Sequence, residues 1–230
     1  MWSFNNKVDV VKQLRIDVGT DVLCLTETWH KDGDAVPIRW LRCEGPQVVE
    51  RARPLLTNAK LDNIGFTNQG GVAIVAPNKI RVAVLPPVLS PSTFEYLCAR
   101  ITSHGASWVM PLVYRPGSQV ISPQFFTELT KILEHLSTLA LPVVLTGDVN
   151  IRLDRPDDAS CQQFTELLTS FDLLQYVDQP MHDLGGILDV VVTRSDLPHL
   201  MVEVVDVGIS DHRLNKWTLD VESSPPVYET

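Results

Sequence analysis

Residues 142–150 read PVVLTGDVN. A short apolar run closed by a Gly turn signal reads as a buried strand. This one delivers an acid, Asp148, and an amide, Asn150, where it ends. Immediately upstream, SPQFFTELTKILEHLSTL (122–139) opens with Ser122 and Pro123 as an N-cap and first-turn pair. It repeats Phe126, Leu129, Ile132, Leu133 and Leu136 along one face, which predicts an amphipathic helix. Downstream, DDASCQQFTELLTSFDL (157–173) predicts a second, opened by acidic and Ser caps. A buried strand between two helices sets the class as α/β.

The same reading extends outward. GVAIVA, IRVAVL, FEYLCARI and SWVMPLVY between 71 and 114 are four β-rich runs divided by APNK and SHGAS, as expected of a meander of antiparallel neighbours. From 30 to 70 the chain turns irregular, with HKDGD, CEGPQ, RARPLLTN and NQGG, and a long surface excursion is expected. Before it, NNKVDVVKQLRID predicts a helix ending near Gly19, with Val8, Val11 and Leu14 on one side, and DVLCLTE predicts a strand. ILDVVVTR, MVEVVDV and NKWTLDV predict three final strands. The expectation is one domain over residues 1–222, with two β-sheets packed face to face and helices outside, followed by a linker or tail at 223–230.

Composition narrows the function classes. The chain has 230 residues, 44% of them hydrophobic, enough for the core of a two-sheet sandwich. Its longest apolar stretches, such as VLCL and PVVL, fall far short of the roughly 20 residues that cross a bilayer. MWSFNNK carries no secretory pattern, so an intracellular protein without a membrane span is expected. Cys24, Cys43, Cys98 and Cys161 are scattered without metal-ligand spacing and are expected to be buried free thiols. A net charge of −9 argues against gripping nucleic acid by bulk electrostatics, so any polyanion contact must be local.

Polar residues cluster where the apolar runs begin and end. Glu27, Tyr114 and Asp148 with Asn150 close their runs, whereas Asp189 opens one and Asp211 with His212 precedes another. If the last two strands run antiparallel to the first three, these ends and starts meet on one rim. Convergent carboxylates repel unless a cation sits among them, and an oxygen-rich set favours Mg²⁺ or Mn²⁺ over zinc. A neighbouring His held by an acid suits a phosphate, so phosphoester hydrolysis is the chemistry that fits. Taken singly, each residue has a plainer reading: Glu27 a cap, Asp148 and Asn150 an Asx-turn, Asp189 a solvated strand start, Tyr114 a half-buried aromatic, Asp211 and His212 a turn. Only the joint pattern favours a site.

LTETW (25–29), VYRPG (113–117), LTGDVNIRLD (145–154), GGILDVVVTR (185–194) and VGISDHRL (207–214) occur in this order. Together they resemble the endonuclease/exonuclease/phosphatase superfamily, and more closely the endonuclease domain of LINE-type, non-long-terminal-repeat retrotransposons. The resemblance implies a four-layer α/β/β/α sandwich of two mixed sheets, as in DNase I, and metal-dependent phosphodiester cleavage. It implies that Glu27 ligates the metal with Asp211 near it, that Asp148 orients or deprotonates the attacking water, and that Asn150 positions phosphate and nucleophile. It further implies that His212 contacts the scissile phosphate, Asp189 orients His212, and Tyr114 bonds the phosphate. Such a domain nicks chromosomal DNA in the nucleus and leaves a 3′-hydroxyl for a reverse transcriptase region of the same element.

Family members open with a strand carrying an Asn, where this sequence has MWSF, and Asn5 and Asn6 read as the start of the helix instead. Loss of that strand would expose a sheet edge. Arg115, Arg152, Arg155, Arg194 and Arg213 lie close in sequence to the proposed rim and are candidate DNA contacts. QPMHDLGG (179–186) is expected to project as a hairpin. The alternatives are a phosphatase or phosphodiesterase of the same superfamily, and an inactive retrotransposon remnant acting as a binding module.

Overall fold

The computed structural model describes residues 7–43, 45–53, 70–182, 185–197, 200–208 and 212–219. Its elements run α1 (Val8–Val18), β1 (Leu23–Leu25), α2 (Val36–Cys43), β2 (Gln47–Arg51), β3 (Val72–Ala76), β4 (Arg81–Val84), β5 (Glu95–Ser103) and β6 (Ala106–Tyr114). There follow α3 (Pro123–Ser137), β7 (Val144–Asp148), α4 (Ala159–Ser170), β8 (Leu173–Gln175), β9 (Asp189–Arg194), β10 (Val202–Val205) and β11 (Leu214–Trp217).

The run that predicts a buried strand is β7, every residue of it buried, near the centre of a six-stranded sheet ordered β4-β5-β6-β7-β9-β8. That sheet is mixed: β6 and β7 are parallel, as the intervening helix α3 permits, and the other pairs are antiparallel. Capping fixes where the covering helices start. Ser122 accepts from the Phe125 N–H ahead of Pro123, and Asp158 accepts from the Ser160 and Cys161 N–H groups. From α3 and α4, Phe125, Phe126, Leu129, Ile132, Phe164 and Leu168 pack onto Val109, Val113, Leu145 and Val192 of the sheet.

The opposite face of the same sheet meets a second β layer. Val72, Ile74 and Ala76 of β3 pack on Leu97, Ala99, Ile101, Met110 and Leu112, while Val75, one position out of phase, faces α1 and α2 with Val8, Val11, Ile38 and Leu41. Helix, sheet, sheet, helix is the four-layer order expected. At the other end of the face, Val144 and Val191 are covered by residues of β10 and β11.

Several expectations change. Among the described residues the second layer comes in two pieces, β1-β3-β2 and β10-β11, each antiparallel. The stretch from 30 to 53 is not a surface excursion. Ile38 and Leu41, three apart on α2, are buried, and β2 pairs with β3. The turn formers around these elements are frequent enough to hide them in the sequence. β3 belongs to this layer, so the meander is β4-β5-β6 alone. The short strand β8, three residues following α4, has no periodicity long enough to signal it. Cys98 and Cys161 are buried as expected, Cys24 is partly buried, Cys43 is exposed, and all four are free. The expected first-strand replacement at 1–6 and the tail at 223–230 lie outside the described residues. No described helix is long and apolar enough to cross a membrane.

Candidate active site

Pairing register builds the first half of the site. Tyr114 ends β6, Asp148 ends β7 and Asp189 opens β9, and the register sets Tyr114 opposite Asp148 and Asp148 opposite Asp189. Residues abreast in register point to the same side of a sheet, here the inner face. A Cβ at Gly147, whose φ is +133°, would lie 1.9 Å from the Val113 carbonyl oxygen, so only glycine lets β7 approach β6 at the residue before Asp148.

Beyond Asp148 the chain turns sharply. Asn150 has φ 50°; its N–H donates to Asp148 Oδ1 (2.8 Å) and its Nδ2 to Asp148 Oδ2 (2.7 Å) and the Arg115 carbonyl (2.8 Å). The Asx-turn and the site coincide: one turn aims both side chains. The downstream arm arrives through the segment before β11, where His212 bridges to His182 in a β-type pairing. His212 Nδ1 lies 2.9 Å from Asp189 Oδ2. An ionised carboxylate can only accept, so Nδ1 carries the hydrogen of that bond. The His182 ring packs edge-on to His212 at 4.9 Å between centroids.

The fourth side comes from the second layer. Glu27 lies in the turn after β1 with φ 52°, and the buried Tyr114 hydroxyl donates to its Oε1 at 2.5 Å. Tyr114 is thus a holder of the Glu27 carboxylate. Burial, and then the bond to Glu27, raise its phenol far above the ordinary value, so it remains a donor.

Asp148 is 2% exposed. Burial pushes its carboxyl well above the ordinary range, the charges of Asp189 and Glu27 add to this, and His212 and the Asn150 N–H oppose it. Ligand atoms of Asp148, Asp189 and His212 lie within 4.8 Å of one another. A divalent cation would offset this repulsion, and carboxylate oxygens suit a hard ion. Asp211, expected near the metal, lies outside the described residues.

The arginines separate. Arg115 is 3% exposed, and its guanidinium donates to the carbonyls of Val149, Pro116, Gln119 and Asn150 at 2.6–3.1 Å, so it braces the Asp148 loop and is not displayed to a substrate. Arg194 ends β9 five residues from Asp189, roughly 16 Å at the usual rise per residue, and pairs with Asp196; it stands at the wrong end of its strand. Arg152 forks onto Asp154, and Arg155 has its N–H on the Arg152 carbonyl. Arg213, beside His212, donates to the Pro180 carbonyl and remains at the rim. The Met181 N–H donates to the Gly186 carbonyl and the Gly185 N–H to that of His182, while residues 183–184 of the expected hairpin lie outside the described residues.

Between the two pieces of the second layer runs a cavity of about 440 Å³, lined by Leu23 and Leu25 of β1, Leu214 and Trp217 of β11, and Trp108 and Met110 beneath. Among the described residues β1 pairs only with β3 and β11 only with β10, so both edges facing the cavity are open. At one end it reaches Glu27, Asp148, Asp189 and His212. Sequence reasoning did not single out His182, nor the polar groups behind Glu27: Thr28, His30, Glu50, Arg53 and Glu95. His30 is buried in an otherwise irregular stretch and follows LTETW directly, the one signal available.

A model of the Endonuclease/Exonuclease/phosphatase family matches residues 2–212. A search of curated protein sequences finds no match. Among solved structures, the chain is similar to the endonuclease domain of TRAS1, a telomere-specific non-LTR retrotransposon, with 14% identity, TM-score 0.66, and 94% of this chain and 92% of that one covered. It is also similar to the 3′ phosphatase NExo from Neisseria bound to product DNA hairpin, with 20% identity, TM-score 0.64, and coverage of 95% and 96%. An AP endonuclease from Archaeoglobus fulgidus follows at 16% identity, TM-score 0.61, and coverage of 95% and 96%. At these identities the likeness speaks to the fold.

Proposed function

This chain belongs to the endonuclease/exonuclease/phosphatase family, and from that premise we propose that it is a Mg²⁺-dependent DNA endonuclease of the non-LTR retrotransposon type. In this reading it nicks one strand of chromosomal DNA in the nucleus, and the 3′-hydroxyl it leaves primes a reverse transcriptase region of the same element. The observation that carries the reading is the convergence of Asp148, Asp189 and His212 on one point, with Glu27 across from them.

Asp148 is the proton acceptor: burial and the neighbouring carboxylates raise its proton affinity, which suits a group that takes a proton from the attacking water. Asn150 fixes the rotamer of that carboxylate through two hydrogen bonds and so aims the free lone pairs. Asp189 accepts from Nδ1 and orients His212, which in its protonated form donates from Nε2 to a phosphate oxygen as charge builds there. The water oxygen bonds to phosphorus as the P–O3′ bond breaks, and the leaving 3′ oxygen takes a proton from solvent, giving the 3′-hydroxyl on one side and a 5′-phosphate on the other. Glu27 would hold the divalent ion, which when bound would neutralise charge on the phosphate. Mn²⁺ fits the same donors. Arg213 on the rim supplies a local phosphate contact on a chain whose net charge is −9.

The test is nicking of supercoiled plasmid with Mg²⁺ by the wild type, Glu27→Ala and His212→Ala. The wild type is expected to produce open circles whose ends a polymerase extends without prior treatment; both variants leave the plasmid closed. Equal inactivity of all three removes the reading. An oligonucleotide ending in a 3′-phosphate, run in parallel, separates endonuclease from phosphatase.

A further inference from the structure

The turn that carries Glu27 is strained and tied down from behind. Glu27 and Trp29 both have positive φ, 52° and 53°, conformations that persist in non-glycine residues only when their surroundings hold them. The Thr28 N–H donates to the Gly71 carbonyl (3.2 Å) and the Trp29 N–H to that of Gly70 (2.6 Å). Thr28 Oγ1 lies 2.6 Å from His30 Nδ1, and His30 Nε2 lies 2.7 Å from Glu50 Oε2. Thr28 and His30 are each 1% exposed, so water cannot replace a bond lost within this chain. Gly71, with φ +96°, makes the approach possible, since a Cβ there would lie 2.5 Å from Thr28 Oγ1.

A second tie reaches the carboxylate itself. The Gly71 N–H donates to Glu95, Glu95 pairs with Arg53, and the Arg53 guanidinium lies 5.6 Å from the centre of the Tyr114 ring, whose hydroxyl holds Glu27. Glu50 lies in β2 and Arg53 just beyond it, so one strand anchors both the backbone and the side chain of Glu27.

We propose that Glu50 is a positioning residue for the metal-binding carboxylate of Glu27, acting through His30 and Thr28 to hold the strained turn in the geometry that receives a divalent ion. This rests on the reading of Glu27 as a metal ligand. Removing Glu50 leaves His30 buried beside Thr28 with one fewer partner, and the turn relaxes away from its left-handed conformations. The carboxylate is then present but misaimed, which weakens the ion's binding more than the chemical step.

The experiment uses the full chain with Glu50→Ala, Glu50→Gln and the nearly isosteric Thr28→Val, which removes the hydroxyl and little else. Mn²⁺ affinity is measured by calorimetry, and nicking across a Mg²⁺ titration. Glu50→Ala is expected to weaken Mn²⁺ binding and raise the half-saturating Mg²⁺ concentration about tenfold. At saturating Mg²⁺ its kcat returns close to that of the wild type, and KM for DNA is unchanged. Glu50→Gln, which keeps an oxygen within reach of His30, recovers most of the affinity, and Thr28→Val shifts it in the same direction as Glu50→Ala. Wild-type Mn²⁺ affinity in Glu50→Ala and Thr28→Val overturns the proposal, as does an equal loss of kcat at every Mg²⁺ concentration. If the wild type binds Mn²⁺ but cuts no DNA, the endonuclease reading fails and calorimetry alone decides this one. A wild type that binds no Mn²⁺ overturns the proposal outright.

Discussion

Asp148 and Glu27 line the same cavity, yet the backbone beneath them is built in different ways. Asp148 stands on a buried strand with a neighbour on each side, in register with Tyr114 and Asp189. Glu27 hangs from a turn after a three-residue strand that pairs, among the described residues, with β3 alone, in a layer that comes in two pieces there. The sheet side of the site is fixed by a pairing ladder that cannot slip one residue without turning every side chain over. The Glu27 side is fixed by a few buried polar contacts. One half should therefore fail as a fold when damaged, and the other as a site.

The contrast breaks most visibly at two glycines. Gly147→Ala drives a Cβ into the backbone of β6 and is expected to destabilise the protein by roughly 4 kcal/mol or more, read from urea unfolding. Gly71→Ala meets the Thr28 hydroxyl and the His30 ring, side chains in place of backbone, and its cost is expected to be about 2 kcal/mol, with weaker metal binding as the larger symptom. Comparable losses at the two positions would remove the distinction.

Chemistry sharpens it next. Asp148→Asn keeps the bond from the Asn150 N–H but loses the proton acceptor and the bond from Asn150 Nδ2, and nicking should fall by about 10³ at any Mg²⁺ concentration. Glu27→Gln should lose less at saturating metal, because its fault is in holding the ion. Rate curves across a Mg²⁺ titration distinguish the two.

Arg115 tests whether an arginine near the site serves the fold or the substrate. Arg115→Met strands several buried carbonyls and should cost about 3 kcal/mol of stability. Arg213→Ala should leave the unfolding midpoint in place, raise KM for DNA and flatten its salt dependence.

The smallest effect lies away from the site, on the sheet side. Glu128 of α3 accepts hydrogen bonds from Ser92 and Thr93 before β5, and although some burial opposes it, these bonds lower its carboxyl from 4.5 to about 2. A lowered carboxyl stabilises the fold above its unfolded value, and that stability is lost as pH falls towards the folded one. The wild type should exceed Glu128→Gln in unfolding midpoint above pH 4.5, with the gap closing towards pH 2.

The same contrast explains what the sequence could reveal. PVVLTGDVN and ILDVVVTR announce themselves because buried central strands are continuous apolar runs, and register then places Asp148 and Asp189 together without further information. Strand ends supplied Glu27, Tyr114 and His212 by the same logic. Missing were α2 and β2, set among turn formers in a stretch that reads as irregular, and with them Glu50 and Arg53. Their importance is tertiary: nothing near QVVERAR in the sequence says that it lies behind LTETW. The arginines misled because proximity in sequence to a strand end does not give direction. Arg194 is at the far end of β9, and Arg115 is consumed by carbonyls that no local pattern shows to be exposed or buried.

The most direct measurement is single-turnover cleavage of a defined DNA duplex in Mg²⁺ by the wild type and Asp148→Asn, with the ends of the cut strand identified. The account predicts one nick bearing a 3′-hydroxyl and a 5′-phosphate, abolished by chelation and slowed about 10³-fold in the variant. Cleavage of equal rate in the two proteins, or none by a folded, metal-bound wild type, would contradict it.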